Sequence, residues 1–564
     1  MDRAWNPACT RCGKFRDTCG FIRFRISSQL LRERTQAQAS LHRPHGAAAY
    51  PISMPRYGAI DIGSNSVRMQ AAEALPGPDG KTSIRILVSN RQVTRLGESV
   101  FRSGFIGKEA IESTCEVLSQ MAGAYRKLDV AGVRAVATSA VRDAQNQWEF
   151  LQAASQALGA PVEIISGKEE ARLIHLGVRS RWPHPGKRLL ILDIGGGSAE
   201  MILSEHGRLA EAYSKPLGAV RLTEVFFKSD PPSPEELHRL ETYIQEKIAP
   251  AVEQIGRVDR GIATSATAAT VVCAVHHLPR SRRDEADQRR VKVAEAKGFY
   301  QDIREQNLAE RRKIPWIGPR RAEIIIAGAA VLLRVIERFH LPALYYSAAG
   351  VRDGIIADLA ARGVGRELSQ LSREQRRAVE EMARQFRVPI QHGRKVADIA
   401  HSLFERLQPL HRLASAYGRL LQAAAYLHDV GHSISSTGHH KHSYYIVANS
   451  DLPGFTQRER LIIANLCRYH RKSPPKPAHE NFKLLDDDEK RAVTLLMPLL
   501  RLADNLDRTH EQRVEQVECY VRANDVTLRI VSGRDIDLEE WAAAGVEDLF
   551  RDVYDRGLTV QKRP

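Results

Sequence analysis

One pattern constrains the fold of this chain more than any other, and it occurs twice. An apolar stretch at residues 189–192 leads directly into Asp193, which is followed by three consecutive glycines and, after Glu200, by a second apolar stretch. Residues 57–60 lead in the same way into Asp61 and a glycine-containing turn. Each copy is typical of a strand, a tight turn and a second strand. Two such hairpins predict two related half-domains that face each other across a phosphate-binding cleft.

The residue types in these turns suit a phosphate and a divalent cation. Mg²⁺ prefers a few carboxylates together with water and substrate phosphates, which makes Asp61, Asp193 and Glu200 the predicted metal ligands. Glycine lets backbone N–H groups approach phosphate oxygens because it has no Cβ atom, and serine adds hydroxyl donors. The predicted phosphate-binding residues of the two turns are Gly63, Ser64, Asn65, Ser66, Gly195, Gly196, Gly197 and Ser198.

Strands and helices alternate around both hairpins, which indicates an α/β fold. The pattern predicts helices at residues 108–128, 148–158, 218–227, 234–255 and 321–339, with a further helix that opens at Glu169. It predicts strands at residues 83–88, 133–137, 162–165 and 344–347, a strand and turn at 261–267, and a charged loop or helix start at 282–290.

Other residues near strand ends could complete the cleft. Thr138 and Ser139 follow the strand at residues 133–137, and in open α/β sheets the ligand crevice forms at such ends. Arg95, Arg142 and Arg321 are candidates to neutralise a polyanion, since a guanidinium group matches phosphate in a bidentate manner. Each of these arginines taken alone could equally be a solvated surface charge.

Glu169 and Glu170 lie in the first turn of a predicted helix, and two interpretations are open. Carboxylates are favoured there by the helix dipole, so both could act only as capping residues. Alternatively, one of them could orient and deprotonate a water molecule that attacks phosphorus. Arg172 is close enough in sequence to pair with either.

Charge and cysteine usage limit the class of protein. The formal net charge is +16 over 564 residues, which predicts an anionic partner such as nucleic acid, a membrane surface or a polyanionic substrate, unless the basic surface serves only solubility. No run of about 18 apolar residues occurs, so we expect no membrane span. Four scattered cysteines suit a reducing compartment, and we expect a cytoplasmic protein. They are Cys115, Cys273, Cys467 and Cys519.

The composition also predicts domain boundaries. Residues 1–55 are rich in arginine and lack apolar periodicity, so we expect a disordered basic tail, or a start assigned too early with translation beginning at Met54. Cysteines 9, 12 and 19 in this tail lack a clear fourth zinc ligand, although His42 or His45 could supply it. The remaining predicted domains are an α/β lobe at residues 56–183, a second lobe at 184–360, a helical domain at 361–510 and a small α/β module at 511–564. In the last module we expect strands at 514–521 and 526–531 and a helix at 538–553.

Four segments together resemble a known family. They are Asp61-Ile62-Gly63-Ser64-Asn65-Ser66, Ala137-Thr138-Ser139-Ala140-Val141-Arg142, Ile164-Ile165-Ser166-Gly167-Lys168-Glu169-Glu170-Ala171-Arg172 and Asp193-Ile194-Gly195-Gly196-Gly197-Ser198-Ala199-Glu200. In order and spacing this set resembles the exopolyphosphatase / guanosine pentaphosphate phosphohydrolase family over residues 56–360, and residues 347–354 resemble that family's closing motif.

The resemblance carries several expectations. It implies the actin / heat-shock chaperone / sugar-kinase fold, with two ribonuclease-H-like lobes around a cleft, a homodimer, and Mg²⁺ (or Mn²⁺) as cofactor. It implies removal of the terminal phosphate from inorganic polyphosphate, from pppGpp, or from both. A polyphosphate substrate would explain the positive charge without nucleic acid.

The resemblance also assigns roles to residues. In the family the second Glu of the Glu-Glu-Ala-Arg motif is the catalytic base, so this role falls on Glu170, and the acids equivalent to Asp193 and Glu200 are tied to metal. The chain departs from the family at Ala266, where a glycine usually precedes Thr267. The extra methyl group could crowd a phosphate or ribose, while Thr267 stays a predicted phosphate-binding residue.

The helical domain contains a second motif. His428 and Asp429 end an apolar stretch at residues 417–427, and this adjacent pair resembles the centre of the HD metal-dependent phosphohydrolase fold. The resemblance implies that His392 and Asp504 complete a ligand quartet. His442 and His470 are candidates to extend the set to two metals. Alternatively, the domain could serve as scaffold and substrate channel, with basic residues 468–472 along a polyphosphate path.

These observations lead to one prediction and two alternatives. We predict an exopolyphosphatase that releases orthophosphate from the end of inorganic polyphosphate. The first alternative is a pppGpp 5′-phosphohydrolase that forms ppGpp at the same site. The second is a non-catalytic sensor that binds polyphosphate or the alarmone.

Overall fold

The computed structural model describes residues 55–76, 82–98, 100–182, 187–363 and 369–563. The predictions for the N-terminal tail, including the cysteine cluster and the start at Met54, lie outside these residues. In the described residues no helix has the length and apolar character needed to cross a membrane.

The first lobe is an α/β unit. Its sheet has the strand order β3-β2-β1-β4-β5. The strands are β1 (Arg56–Ile62), β2 (Val67–Pro76), β3 (Thr82–Gln92), β4 (Gly132–Ala137) and β5 (Val162–Ile164). The helices are α1 (Val100–Ser103), α2 (Lys108–Leu128), α3 (Ser139–Asp143), α4 (Gln147–Leu158) and α5 (Gly167–Arg181).

The second lobe repeats this plan with a sheet of order β10-β11-β9-β6-β7-β8. The strands are β6 (Arg188–Ile194), β7 (Ala199–Glu205), β8 (Arg208–Lys215), β9 (Arg260–Thr264), β10 (Arg290–Lys292) and β11 (Ala343–Tyr346). The helices are α6 (Ala219–Phe226), α7 (Pro234–Ile255), α8 (Ser265–Val275), α9 (Val293–Arg304), α10 (Leu308–Lys313), α11 (Ile325–Arg338) and α12 (Val351–Gly363), with a 3₁₀ helix at Arg280–Ala286.

The two lobes share one topology, as the repeated hairpin predicted. Strand β1 pairs antiparallel with β2 and parallel with β4, and β6 pairs antiparallel with β7 and parallel with β9. The tips of both hairpins therefore lie at the carboxyl edge of their sheets, where α/β folds bind ligands. The predicted α/β class is confirmed.

One detail of the second lobe differs from the prediction. Helix α11 begins at Ile325, so the predicted start at Arg321 is wrong and that arginine lies in the preceding turn. The charged stretch at residues 282–290 forms part of a 3₁₀ helix and then reaches strand β10.

The helical domain and the C-terminal module share one hydrophobic core, in which Val396 and Leu421 belong to the same buried cluster as Leu528 and Phe550. The helices are α13 (Arg373–Gln385), α14 (Ile390–Arg406), α15 (Gln408–His411), α16 (Ala416–Leu427), α17 (His439–Asn449), α18 (Gln457–Tyr469), α19 (Glu480–Lys483) and α20 (Asp487–Asn505), with a 3₁₀ helix at Val430–Ser433. The module comprises β12 (Gln516–Val521), β13 (Asp525–Val531), α21 (Asp537–Ala544), α22 (Glu547–Tyr554) and β14 (Gly557–Lys562).

The single helix predicted at residues 538–553 is wrong, because the chain breaks at Gly545 into α21 and α22. Strand β14 was not predicted from the sequence. It pairs in parallel with β13, and this partner is distant in sequence.

A buried ion-pair network joins helix α5 to the helical domain. The Arg172 guanidinium lies 2.8 Å from the Glu169 carboxylate and 3.0 Å from Asp358. On the other side of Asp358, Arg362 bridges to Glu459 at 2.7 Å. These arginines hold the pKa of Asp358 well below its usual value. The start of α5 is therefore fixed by contacts from the C-terminal half of the chain.

Candidate active site

The cleft between the lobes contains a cavity of about 210 Å³. Most of the predicted site residues line it, and they come from both hairpin turns, from the start of α3, from the start of α5 and from the turn before α11. They are Asp61, Gly63, Ser64, Asn65, Ser66, Thr138, Ser139, Glu170, Asp193, Gly195, Gly196, Gly197, Ser198 and Arg321. The structure thus gathers residues that are up to 260 positions apart.

The hairpin turns of the two lobes contact each other directly through glycine. A Cβ atom at Gly196 would lie 2.9 Å from Cβ of Ser64 and 3.3 Å from the backbone nitrogen of Asn65. A Cβ atom at Gly197 would lie 2.5 Å from Oγ of Ser139. Any side chain at these positions would force the lobes apart, so the glycines set the width of the cleft.

Several buried polar atoms around the cleft form no hydrogen bond within the described residues. The Ser64 hydroxyl, the Ser265 hydroxyl and one carboxylate oxygen of Glu170 are buried, and among the described residues they form no hydrogen bond. All three residues line the cavity. Because buried polar groups are nearly always hydrogen-bonded, this arrangement indicates a polar ligand in the cleft.

The side chains of Glu169 and Glu170 have different partners although the two residues are adjacent in sequence. The backbone N–H of Glu169 donates to the Ser166 hydroxyl at 3.2 Å, which caps α5. The Glu169 side chain accepts hydrogen bonds from Arg134, from Arg172 and from the backbone N–H of Gly454. Glu169 is therefore an ion-paired structural residue rather than a cleft acid.

Glu170 instead faces the cleft. The Arg142 guanidinium lies 3.5 Å from its carboxylate. Burial raises the pKa of Glu170 well above its usual value, and the nearby Glu200, Asp61 and Asp193 raise it further, against the opposing effect of Arg142. A carboxyl group with a raised pKa is suited to accept a proton near neutral pH.

The acids of the second hairpin form a directly opposed pair. Asp193 on β6 and Glu200 on β7 are cross-strand partners, so their side chains lie on the same face of the sheet. Glu200 is buried behind the cleft and accepts a hydrogen bond from the Ser214 hydroxyl at 2.8 Å. Burial, followed by the charge of Glu200, raises the pKa of Asp193 to about 7.

The cleft is also lined by four arginines that were not predicted. Arg68, Arg91, Arg283 and Arg352 line it together with the predicted Arg321. Burial and neighbouring arginines lower the pKa of Arg91 to about 9 and that of Arg321 well below its usual value. The signal for Arg68 was present in the sequence, because it follows the first turn on the strand that pairs with Asp61.

Three predicted phosphate-binding residues take other positions. Arg95 lies outside the cavity lining and forms 3.0 Å hydrogen bonds to Glu323, and its contact with the ligand stays a prediction. Thr267 is fully buried, and its hydroxyl donates to the Ile194 carbonyl at 3.4 Å, so it supports the turn from behind. Arg142 also lies outside the lining, donates to the Ile165 carbonyl and contacts Glu170.

Comparison with known proteins agrees with this geometry. Residues 78–362 match the model of the Ppx/GppA phosphatase family, and residues 375–540 match domain III of the same family. This chain belongs to the Ppx/GppA phosphatase family.

Individual relatives cover different parts of this Ppx/GppA phosphatase. It is 27% identical over 480 residues to a guanosine-5′-triphosphate,3′-diphosphate pyrophosphatase of Vibrio vulnificus, which covers 84% of this chain and 92% of the relative. A solved exopolyphosphatase-like protein is 28% identical with a TM-score of 0.51, covering 55% of this chain and 98% of the other. A solved exopolyphosphatase from Cytophaga hutchinsonii is 24% identical with a TM-score of 0.51, covering 55% and 99%.

The cleft acids of this family member fit a divalent cation. Burial raises the pKa of Asp61 and of Glu200, and the two acids are close enough for Asp61 to raise the pKa of Glu200 further. No three cleft acids bring ligand atoms within 4.8 Å of one another among the described residues. The protein would therefore supply only a few ligands, and water and substrate phosphates would supply the rest, which is the pattern of Mg²⁺ sites.

A second group of ligand-type residues lies in the helical domain. The predicted His392, His428 and Asp504 have ligand atoms within 4.8 Å of one another, and Asp429 forms a similar group with His439 and His470. His442 belongs to neither group, and His439, which was not predicted, belongs to the second.

Proposed function

We propose that this Ppx/GppA phosphatase is an exopolyphosphatase that hydrolyses the terminal phosphoanhydride bond of inorganic polyphosphate. The observation that carries this proposal is the continuity of positive charge away from the acids. The cleft shares Asn65, Arg91, Arg283 and Arg321 with an adjoining cavity of about 410 Å³, whose lining also includes Arg280. A chain of phosphates whose end lies at Glu170 could follow this basic path.

The size and lining of the cleft also support a phosphate chain. At about 210 Å³ the cavity is smaller than the roughly 300–1,000 Å³ typical of sites that enclose a drug-sized ligand. Its aromatic lining residue in the described part of the chain is Tyr346, which is buried in the strand β11. The cleft thus fits terminal phosphates, and a nucleobase would have to stack outside it, where Trp316 lines the adjoining cavity.

The chemistry follows from the positions of the residues. The backbone N–H groups and hydroxyls of the two turns bind the terminal phosphate. Glu170 takes a proton from a water molecule, and the oxygen of that water forms a bond to the terminal phosphorus. The bond from that phosphorus to the bridging oxygen breaks, and orthophosphate and a polyphosphate shorter by one unit result. Mg²⁺ held by one or two of Asp61, Asp193 and Glu200, with water and substrate phosphates as its other ligands, would offset charge on the transferring phosphoryl group.

A second candidate is the pppGpp 5′-phosphohydrolase activity. It is favoured by the alignment with the Vibrio vulnificus pyrophosphatase, which spans 92% of that relative and so includes the helical domain. The triphosphate would enter the same cleft, and the nucleoside would lie outside it. The homodimer stays a prediction from the resemblance, and the cytoplasmic location stays a prediction from the cysteine usage.

Phosphate release from long polyphosphate and from pppGpp, measured side by side with Mg²⁺ and with EDTA, tests these proposals. We expect a higher kcat/KM for polyphosphate and loss of both activities with EDTA. Release from pppGpp alone would overturn the first proposal in favour of the second. Release from neither substrate would overturn both and favour a sensor.

A further inference from the structure

The turn between strand β9 and helix α8 carries a serine that has no part in the chemistry described so far. Ser265 is the first residue of α8, and it lines the cleft together with Thr264 and Ala266. We propose that the Ser265 hydroxyl binds the penultimate phosphate of the substrate, which is the leaving group of the hydrolysis, an assignment that rests on the proposed function.

The backbone of Ser265 has a conformation that disfavours a side chain. Its φ is +80°, whereas φ lies between +48° and +64° for the other described non-glycine residues with a positive value. The left-handed region of L-residues extends over about +50° to +70°, so a Cβ atom is strained here, and glycine would adopt this φ freely. Of these described residues Ser265 alone lines the cleft. Strain at a ligand cleft indicates that the side chain has a function there.

Neighbouring contacts hold this conformation. The Thr264 hydroxyl donates to the Ala349 carbonyl at 2.5 Å, and the Arg283 guanidinium donates to the Ser265 carbonyl at 3.4 Å. Thr264 is also the partner of Asp193 in the parallel pairing of β9 with β6. The turn is therefore anchored beside the strand that carries a cleft acid, and Ser265 follows directly after that anchor.

The hydroxyl of Ser265 lacks an acceptor. Its oxygen is buried, and it forms no hydrogen bond within the described residues. A buried polar group without a partner loses its hydration and gains nothing in return, which is why such groups are nearly always satisfied. A phosphate oxygen of a bound substrate would supply the missing acceptor.

The position of Ser265 indicates which phosphate it binds. Farther along α8, Ala269 and Thr270 line the adjoining basic cavity rather than the cleft. Arg283, which contacts the Ser265 carbonyl, lines both cavities. Ser265 thus lies on the side of the cleft that leads into the basic path. When the hairpin turns bind the terminal phosphate at Glu170, the next phosphate of the chain comes to Ser265.

A donor at this position acts on the leaving group. The Ser265 hydroxyl donates to a non-bridging oxygen of the penultimate phosphate and keeps its proton throughout. When the bond from the terminal phosphorus to the bridging oxygen breaks, that oxygen keeps the electron pair and the departing chain gains negative charge. The hydrogen bond strengthens as this charge develops, so it stabilises the transition state more than the bound substrate.

Two substitutions separate this role from a structural one. Ser265→Ala removes the hydroxyl and keeps the strained Cβ atom, whereas Ser265→Gly removes both. We expect both to lower kcat/KM for tripolyphosphate by about 10- to 100-fold, because a hydrogen bond to a charged group is lost. Ser265→Gly should nevertheless unfold at a higher urea concentration than the wild type, since glycine relieves the strain. A purely structural residue would lose stability and activity together.

His206→Gly is the matched control for the strain. His206 also has a positive φ, of +52°, but it lies exposed in the turn between β7 and β8. This substitution should raise the urea midpoint as well and leave kcat/KM unchanged. Wild-type kcat/KM in both Ser265 variants would overturn the proposal, and so would a urea midpoint that falls in Ser265→Gly.

Calorimetry in the Glu170→Gln background, with Mg²⁺ present, tests the choice of phosphate without turnover. Adding Ser265→Ala should raise Kd for tripolyphosphate about 10-fold and change Kd for orthophosphate little, because orthophosphate occupies only the terminal position. Equal changes for both ligands, or no change for either, would overturn the assignment. Tripolyphosphate that binds through Ser265 but is not hydrolysed by the wild type would overturn the proposed function and leave this assignment intact.

Discussion

Glu200 lies directly opposite Asp193 across the hairpin β6–β7, whereas the residue opposite Asp61 in the related hairpin β1–β2 is Arg68. The two hairpins are alike in backbone but carry opposite charges at this position. One side of the cleft thus concentrates negative charge, which suits a cation, and the other provides a positive charge, which suits phosphate.

This difference predicts separate effects of two charge-removing substitutions. Glu200→Gln should raise the Mg²⁺ concentration needed for half-maximal activity at least several-fold, because it removes one of the paired acids. Arg68→Gln should raise KM for polyphosphate and leave the Mg²⁺ requirement nearly unchanged. Phosphate release titrated with Mg²⁺ and with substrate measures both. The same change of Mg²⁺ dependence in both variants would contradict this division.

The opposite surroundings of Glu169 and Glu170 predict opposite phenotypes. Glu170→Gln should reduce phosphate release by about 10²–10⁴-fold, because the general base is lost, with polyphosphate binding retained. Glu169→Gln should mainly destabilise the protein, by about 3–5 kcal/mol, because it leaves Arg134 and Arg172 partly uncompensated in the interior. Steady-state kinetics and urea unfolding of both variants separate the two roles. Full activity in Glu170→Gln would refute the base assignment.

The basic path away from the cleft predicts a dependence on chain length. Arg91 and Arg321 line both the cleft and the adjoining cavity. Arg280, by contrast, lines the adjoining cavity and not the cleft, so Arg280→Gln should raise KM more for long polyphosphate than for tripolyphosphate, and weaken the salt dependence of KM for the long chain. Arg95→Gln is a matched control, since Arg95 pairs with Glu323 outside the cavity. Equal effects on long and short substrates would contradict the path.

Close packing of α5 against α12 predicts a large effect of one methyl group. A Cβ atom at Gly354 would overlap the backbone carbonyl of Leu173, and backbone cannot move aside as a flexible side chain can. Gly354→Ala should cost about 3 kcal/mol of unfolding free energy. Gly298→Ala is the matched control, because its Cβ would meet nothing within 4 Å in helix α9, and it should stabilise by up to about 1 kcal/mol. Urea unfolding of both variants measures this difference.

A buried histidine of α5 predicts a dependence of stability on pH. Burial lowers the pKa of His175 from 6.5 to about 4, and the ring contacts the Ser204 hydroxyl at 3.0 Å. The unfolded chain therefore binds the proton more readily, so this contribution is complete above pH 6.5 and is lost as the pH falls from 6.5 towards 4.

At pH 5.5 the loss at this site should be about 1.4 kcal/mol relative to neutral pH. Urea unfolding of the wild type and His175→Leu at pH 7.5 and 5.5 isolates it, because other titrating groups are common to both proteins. The stability advantage of the wild type should shrink at the lower pH. An unchanged difference between the two proteins would rule out this account.

Regular elements were predictable where their signals are local. The predicted bounds of α2 and α7 agree with the structure. Helix α7 begins with a capping box between Ser233 and Glu236 and with Pro234 at its first position, all of which are readable from neighbouring residues. Strand β14 was not predicted, and it pairs with β13 across the two helices α21 and α22 that lie between them in the chain.

The sequence by itself determined the two hairpins, their acids and glycines, and the α/β class, because each depends on residue type and spacing within about ten positions. Only the tertiary structure decided which of the candidate side chains face the cleft. Glu169 and Glu170 differ by about 100° around a helix, and the packing of α5 against the rest of the chain sends one to Arg172 and the other to the cleft. The contacts of Arg95 with Glu323 and of Thr267 with the Ile194 carbonyl also depend on the fold, since these partners are distant in sequence.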